Sequence, residues 1–263
     1  MTTSADSIDS ALSVLSDSHD RLAAAVKSLT GDQLTGPSYC SDWSVAQVLS
    51  HLGSGAEIFG LHVVAGLHGR EAPGGEQFQA IWDVWNAKSP QDQVRDGVAE
   101  DGELVEQLAA IPPEQRQSWR LEFFGAERTL ADVIRMRVSE HALHTWDVMV
   151  ARDPHATLTG DAAGLALDNL PEMAGMIGKP TGANLRVHVT TEHPERHFEL
   201  AAGPDRVVLT RTEAGPAAGE ATLRLPAEAF ARLLAGRLDP GHGAPVEAHG
   251  LDLDDLRAVF PGF

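Results

Sequence analysis

The chain contains a single cysteine, Cys40, so no internal disulfide framework can hold it together. Basic residues are scarce: Lys and Arg total 20 against 38 Asp and Glu, a formal charge of -18. Such a field repels phosphate backbones and anionic membrane surfaces, because there is no basic surplus to release condensed counterions. Nucleic acid and membrane partners are therefore not expected. No run approaches the roughly 18 apolar residues that a membrane span needs. The opening Met1-Thr2-Thr3-Ser4-Ala5-Asp6 lacks the cationic and apolar regions of a signal peptide, which leads to the expectation of a cytoplasmic protein. What is present is 263 residues, 43% hydrophobic and 22% charged. That is enough to fold and to bury one large core or two modest ones.

The first half has helical period. From about Ser7 to Leu29, Ile8, Leu12, Leu15, Leu22 and Val26 recur at three-, four- and seven-residue intervals, and Gly31 with Gly36-Pro37-Ser38 ends the pattern. Ser44-Val45-Ala46-Gln47 has the form of a capping box and opens a helix with Val45, Val48, Leu49, Leu52, Ala56 and Phe59 on one stripe. Ser89-Pro90-Gln91-Asp92 starts a third helix, closed by Ile111-Pro112-Pro113. Thr129-Leu130-Ala131-Asp132 starts a fourth, running to about Val150. Four long helices predict an antiparallel bundle. The stretch from Gly69 to Trp85 has no clear assignment.

Arg152-Asp153-Pro154 reads as the exit from the bundle, with a boundary near 152–160. One more helix is expected over about Asp161 to Ile177. The period then shortens: the runs 185–189, 197–200, 207–209 and 221–225 are strand-like, and Pro226 to Ala235 and Asp252 to Val259 read as helices packed on the sheet. The expected class is α+β, with a bundle over 1–155 and a smaller, mostly antiparallel α+β domain over 156–263.

The segment richest in chemistry is Arg137-Val138-Ser139-Glu140-His141-Ala142-Leu143-His144-Thr145-Trp146-Asp147. Residues four apart share a helix face about 6 Å apart along the axis, so Glu140 and His144 can clamp one cation. Arg137, His141 and His144 interrupt an otherwise apolar stripe, and burying such groups unpaired costs several kcal/mol. A metal would remove that cost, and so would an Arg137–Glu140 salt bridge. His51, one turn beyond Val48, is the best third ligand from elsewhere. Two imidazoles and one carboxylate leave positions open, as in catalytic zinc sites, although the same set also serves iron. Asp147, three residues after His144, is suited to orient its imidazole or to sit solvated on the helix. Trp43 and Trp146 read as bundle packing, and Cys40 as a structural thiol.

Pro37-Ser38-Tyr39-Cys40-Ser41-Asp42-Trp43-Ser44-Val45, continuing to Leu49-Ser50-His51-Leu52, resembles the start of the mycothiol-dependent maleylpyruvate isomerase family. Glu140-His141-Ala142-Leu143-His144-Thr145-Trp146-Asp147-Val148 resembles its second signature. The resemblance implies a DinB-like four-helix bundle followed by a sterol-carrier-like α+β domain. It also implies a divalent metal, zinc above all, on His51, Glu140 and His144. The family uses an arginine of its C-terminal domain near the active site; Arg237 is the candidate here, against the plainer reading of a cation at a helix end.

The chemistry so implied is activation of mycothiol as a thiolate for attack on a small electrophile, ending in isomerisation or S-transfer. Asp147 and Arg237 would assist catalysis. Lysine-poor, alanine- and glycine-rich usage suits a GC-rich bacterial genome, where mycothiol is common. Two other classes stay open from sequence: a non-catalytic protein binding a metal or an apolar ligand, and an iron oxygenase. The expected partners are a small electrophile and a low-molecular-weight thiol, for a monomer or weak homo-oligomer.

Overall fold

The computed structural model describes residues 4–40, 42–123, 125–182 and 184–262. The chain divides into two compact units, Met1–Ala156 and Thr157–Phe263.

The first unit is built on four long helices: α1 (Ser4–Lys27), α3 (Val45–Leu67), α5 (Pro90–Ala109) and α7 (Leu130–Val150). Shorter elements lie between them, namely α2 (Gly31–Thr35), α4 (Gly75–Asn86), α6 (Pro113–Ser118) and the hairpin β1 (Arg120–Phe123) with β2 (Ala126–Thr129). Local chemistry sets the starts of the long helices. Ser44 Oγ accepts the Gln47 amide at 3.2 Å while Gln47 Oε1 accepts the Ser44 amide at 2.8 Å, closing the expected capping box. Thr129 and Asp132 close another at the head of α7. At α5, Ser89 Oγ accepts the Asp92 amide and Pro90 fills the first turn, where its missing N–H costs nothing. Sequence periodicity did not reveal α4, which covers most of the unassigned stretch, nor the β1–β2 hairpin, whose strands are too short to show a period.

The core is the meeting of the apolar stripes: Leu15 and Leu22 of α1, Val48, Leu49 and Leu52 of α3, Leu104 and Leu108 of α5, and Ile134 and Val138 of α7 are all buried. Along the α3–α5 contact two glycines face each other. A Cβ on Gly97 would meet the Leu49 carbonyl oxygen at 2.5 Å, so the absence of side chains is what lets these helices close. α3 is long and apolar enough to cross a membrane by length and composition, yet 61% of its most apolar window is buried inside the protein. Its apolar character is accounted for by its place in the core.

The second unit opens with α8 (Gly160–Ile177), capped by Thr159. A five-stranded sheet follows in the order β5-β4-β3-β6-β7, formed by β3 (Leu185–Glu192), β4 (Arg196–Ala202), β5 (Val207–Thr212), β6 (Ala221–Pro226) and β7 (Glu247–His249). Every pairing is antiparallel except β3 with β6. Alternation gives the sheet one apolar face: Val187, Val189, Phe198, Leu200, Leu209, Leu223 and Leu225 are buried. α9 (Ala227–Leu234) brings Phe230 onto it, with the Phe198 and Phe230 ring centroids 5.5 Å apart. The unit ends in α10 (Leu253–Val259). The strand-like runs and both late helices expected from sequence are found; β7, only three residues long, was not foreseen.

Candidate metal centre

Two helices carry the site. The capping box that fixes the start of α3 puts His51 two turns into the helix, beside α7. α7 presents Glu140 and His144 one turn apart. His51 Nε2 lies 2.6 Å from Glu140 Oε1, and His144 Nε2 lies 3.5 Å from the same oxygen. The three ligand atoms all fall within 4.8 Å of one another. The imidazoles of His51 and His144 meet edge to face with centroids 4.7 Å apart. About a third of the His51 side chain and two-fifths of that of Glu140 are exposed, against 11% for His144, so the cluster opens to solvent on one side.

Asp147 sits behind His144. Its side chain is fully buried, and its Oδ2 lies 2.8 Å from His144 Nδ1. An imidazole that donates Nδ1–H to a carboxylate has its Nε2 lone pair free for a cation, the usual arrangement behind metal-bound histidines. The donor set therefore fits a divalent cation: two nitrogens and one carboxylate oxygen converge, and one of the nitrogens is held in the ligating tautomer.

The electrostatics show how tightly the cluster is coupled. Enclosure works to raise the Glu140 carboxyl, but the hydrogen bonds and charges of His144 and His51 hold it well below the usual carboxylate range. Burial works to lower His144, but hydrogen bonds with Asp147, Cys40 and Glu140 hold it well above an ordinary imidazole.

The loop before α3 completes the surroundings. Ser38 donates its amide to the Trp43 carbonyl at 3.0 Å, and Trp43 donates to the Cys40 carbonyl at 2.8 Å. Tyr39 donates its amide to the Asp147 carbonyl at 3.1 Å, docking this loop on α7. Ser41 lies outside the described residues. Trp43, read from sequence as packing, stacks against the site: its ring lies 5.0 Å from that of His51 and 6.3 Å from that of His144. Trp146 does pack in the bundle, with Nε1 donating to the Ala156 carbonyl at 2.7 Å. Cys40 makes a contact the sequence did not signal. Its Sγ lies 3.2 Å from Asp147 Oδ2, a partner 107 positions away.

The remaining polar groups of the α7 stripe belong to a separate buried network. The proposed Arg137–Glu140 bridge is replaced by Arg137 Nη2 donating to Asp101 Oδ1 at 2.7 Å and to the Leu52 carbonyl at 2.8 Å. His141, which also interrupts that stripe, is fully buried with Nε2 2.9 Å from Asp101 Oδ2 and Nδ1 2.8 Å from Ser18 Oγ. His19 Nδ1 lies 2.8 Å from the same Asp101 oxygen. Helical spacing alone could not tell which of these groups faced the site and which faced α1 and α5.

Arg237 lies in the second unit, where it is 7% exposed. Its Nη1 donates to the Ala235 carbonyl at 2.9 Å, and its amide donates to the Arg232 carbonyl at 2.7 Å. Those contacts are the ones expected of a cation at the C-terminal end of α9.

The class is thus a helical bundle bearing a two-histidine, one-carboxylate cluster, followed by an α+β unit. Residues 15–149 match the family described as "Mycothiol maleylpyruvate isomerase N-terminal domain", and the chain belongs to that family. His51, Glu140, His144, Asp147 and Cys40 lie inside that span, and Arg237 outside it. Two solved structures share the fold, the "Crystal structure of the mycothiol-dependent maleylpyruvate isomerase" and that of a histidine-to-alanine mutant of it. Each has a TM-score of 0.66 at 13% identity, covering 91% of this chain and 92% of the other. No curated protein sequence matches the chain.

Proposed function

We propose that the protein is a metal-dependent enzyme that uses a small thiol, mycothiol, against an electrophilic small molecule. The observation that carries this reading is the convergence of His51, Glu140 and His144 from two helices on one half-open point. A divalent cation held there, zinc being the best match to the ligands, would supply positive charge that favours the thiolate over the thiol. His51, Glu140 and His144 supply the ligand atoms. Asp147 keeps the proton on Nδ1 of His144, which leaves Nε2 to face the site. Trp43 walls one side and limits water beside the two imidazoles. The exposed edge between His51 and Glu140 is where both substrates would enter.

In the reaction the thiol loses its proton and its sulfur adds to one carbon of a polarised C=C bond, whose π pair moves onto the conjugated electron-withdrawing group. Rotation about the resulting single bond, then expulsion of the sulfur as the double bond re-forms, gives isomerisation; protonation of the carbanion with the sulfur retained gives S-transfer. The family membership supports a thiol-using enzyme, and the net charge of -18 supports small molecules over nucleic acid as partners. Metal analysis together with turnover of an electrophile, with and without mycothiol and with and without a chelator, tests the proposal. Thiol-dependent turnover abolished by the chelator is the expected result. Metal binding without turnover would point instead to a binding protein. Turnover that requires iron and dioxygen would point to an oxygenase.

A further inference from the structure

We propose that Cys40 is a positioning residue of the metal centre: its thiol donates to Asp147, and through that carboxylate it holds His144 in the ligating tautomer. The inference rests on the metal reading of His51, Glu140 and His144.

Asp147 is fully buried, and its Oδ2 lies 2.8 Å from His144 Nδ1 and 3.2 Å from Cys40 Sγ. A thiol donor on the oxygen that faces the imidazole, approaching from a different segment, adds a constraint on that oxygen's direction and so on the tilt of the ring. The segment that brings the thiol is itself tied down. Tyr39 donates its amide to the carbonyl of this same Asp147, while the Cys40 carbonyl accepts from Ser38 Oγ at 3.2 Å and from the Trp43 amide at 2.8 Å. The loop thus grips Asp147 by backbone and side chain together.

Cys40, His144 and Asp147 also offer ligand atoms within 4.8 Å of one another, a second set that shares His144 with the first. The imidazole faces Glu140 with Nε2 and Asp147 with Nδ1. A histidine ligating by Nε2 ordinarily donates Nδ1–H to a carboxylate, so occupation of the half-open site assigns Cys40 to support rather than to ligation.

The test titrates Zn2+ and Co2+ into the wild-type chain and the variants Cys40→Ser and Cys40→Val, with helix content and thermal unfolding measured on each. Loss of the donor in Cys40→Val is expected to weaken metal binding about tenfold, the range seen when an outer partner of a metal histidine is removed. Cys40→Ser keeps an O–H donor and is expected to stay close to wild type. The Co2+ form is expected to show no thiolate-to-metal charge-transfer band. Equal affinity in wild type and Cys40→Val overturns the proposal, as does an equal fall in both variants or the appearance of that band. Should valine compromise folding, alkylation of the folded wild-type thiol with iodoacetamide removes the same donor. It is expected to weaken binding similarly, and unchanged affinity would overturn the proposal. A wild-type chain that binds neither metal overturns the metal reading itself, and this inference with it, an outcome distinct from the others.

Discussion

His51 Nε2 lies 2.6 Å from Glu140 Oε1, although the two residues are 89 positions apart and belong to different helices. This contact, with the 3.5 Å approach of His144, sets two imidazoles against one carboxylate. If the three residues are ligands, each is expected to matter more for metal binding than for helix content. His144→Ala is expected to lose metal by more than about 100-fold, beyond the range for an outer partner, while far-UV circular dichroism remains that of the wild type. Full metal content in His144→Ala would contradict the ligand assignment.

Metal uptake must also displace protons. Burial lowers the His144 pKa, but its hydrogen bonds with Asp147, Cys40 and Glu140 more than reverse that, so the imidazole is held protonated above its usual range. A cation on Nε2 competes with that proton. Affinity is therefore expected to fall as pH drops and to rise as pH increases through the raised pKa. Calorimetric titration in buffers of different ionisation enthalpy checks this by the protons released. A binding enthalpy independent of buffer would contradict it.

The four long helices were legible because their caps and stripes are local signals, as at Ser44–Gln47 and Thr129–Asp132. The candidate metal site was legible only in part. The Glu140 and His144 pair is fixed by one helical turn, whereas His51 joins it through packing that no spacing rule encodes; its place one turn beyond Val48 made it a candidate, and the family resemblance strengthened that choice. Cys40 and Asp101 were not seen as partners of anything, because their contacts lie 107 positions away at Asp147 and 36 away at Arg137. Trp43 was read only in part, for a related reason. Its pattern is that of a packing residue, and its ring does meet the core, but its other neighbours are His51 and His144.

The Asp101 network predicts how stability depends on pH. Burial alone would raise the Asp101 carboxyl, yet His141, His19 and the Arg137 guanidinium together hold it far below the usual range. A depressed carboxyl stabilises the fold above its unfolded pKa of about 3.9, and that stabilisation drains away as pH falls further. His19 has the opposite sign: its hydrogen bond to Asp101 raises its pKa against burial, so its contribution is full below about pH 6.5 and is lost as pH rises through the raised value. Asp101→Asn leaves Arg137 buried without its counter-charge, which is expected to cost about 3–5 kcal/mol and to flatten the acid limb. Urea unfolding across pH measures both effects. An acid limb unchanged in Asp101→Asn would contradict the assignment.

Two glycines, Gly164 and Gly97, separate propensity from packing. Alanine in place of glycine inside a helix gains up to about 1 kcal/mol from backbone entropy alone. At Gly164 of α8 a Cβ would meet only Pro194, at an ordinary 3.6 Å, so Gly164→Ala is expected to stabilise by that amount. At Gly97 of α5 the same atom would come within 2.5 Å of the Leu49 carbonyl oxygen, a backbone atom that can yield only if α3 moves. Overpacking of this kind costs about 1–3 kcal/mol, enough to cancel or exceed the propensity gain. Because Leu49 stands two residues before His51, any shift of α3 also displaces a proposed metal ligand. Gly97→Ala is therefore expected to lower the urea midpoint and metal affinity together, while Gly164→Ala raises the midpoint and leaves metal binding alone. A Gly97→Ala variant as stable as wild type would show that α3 and α5 do not need this close approach.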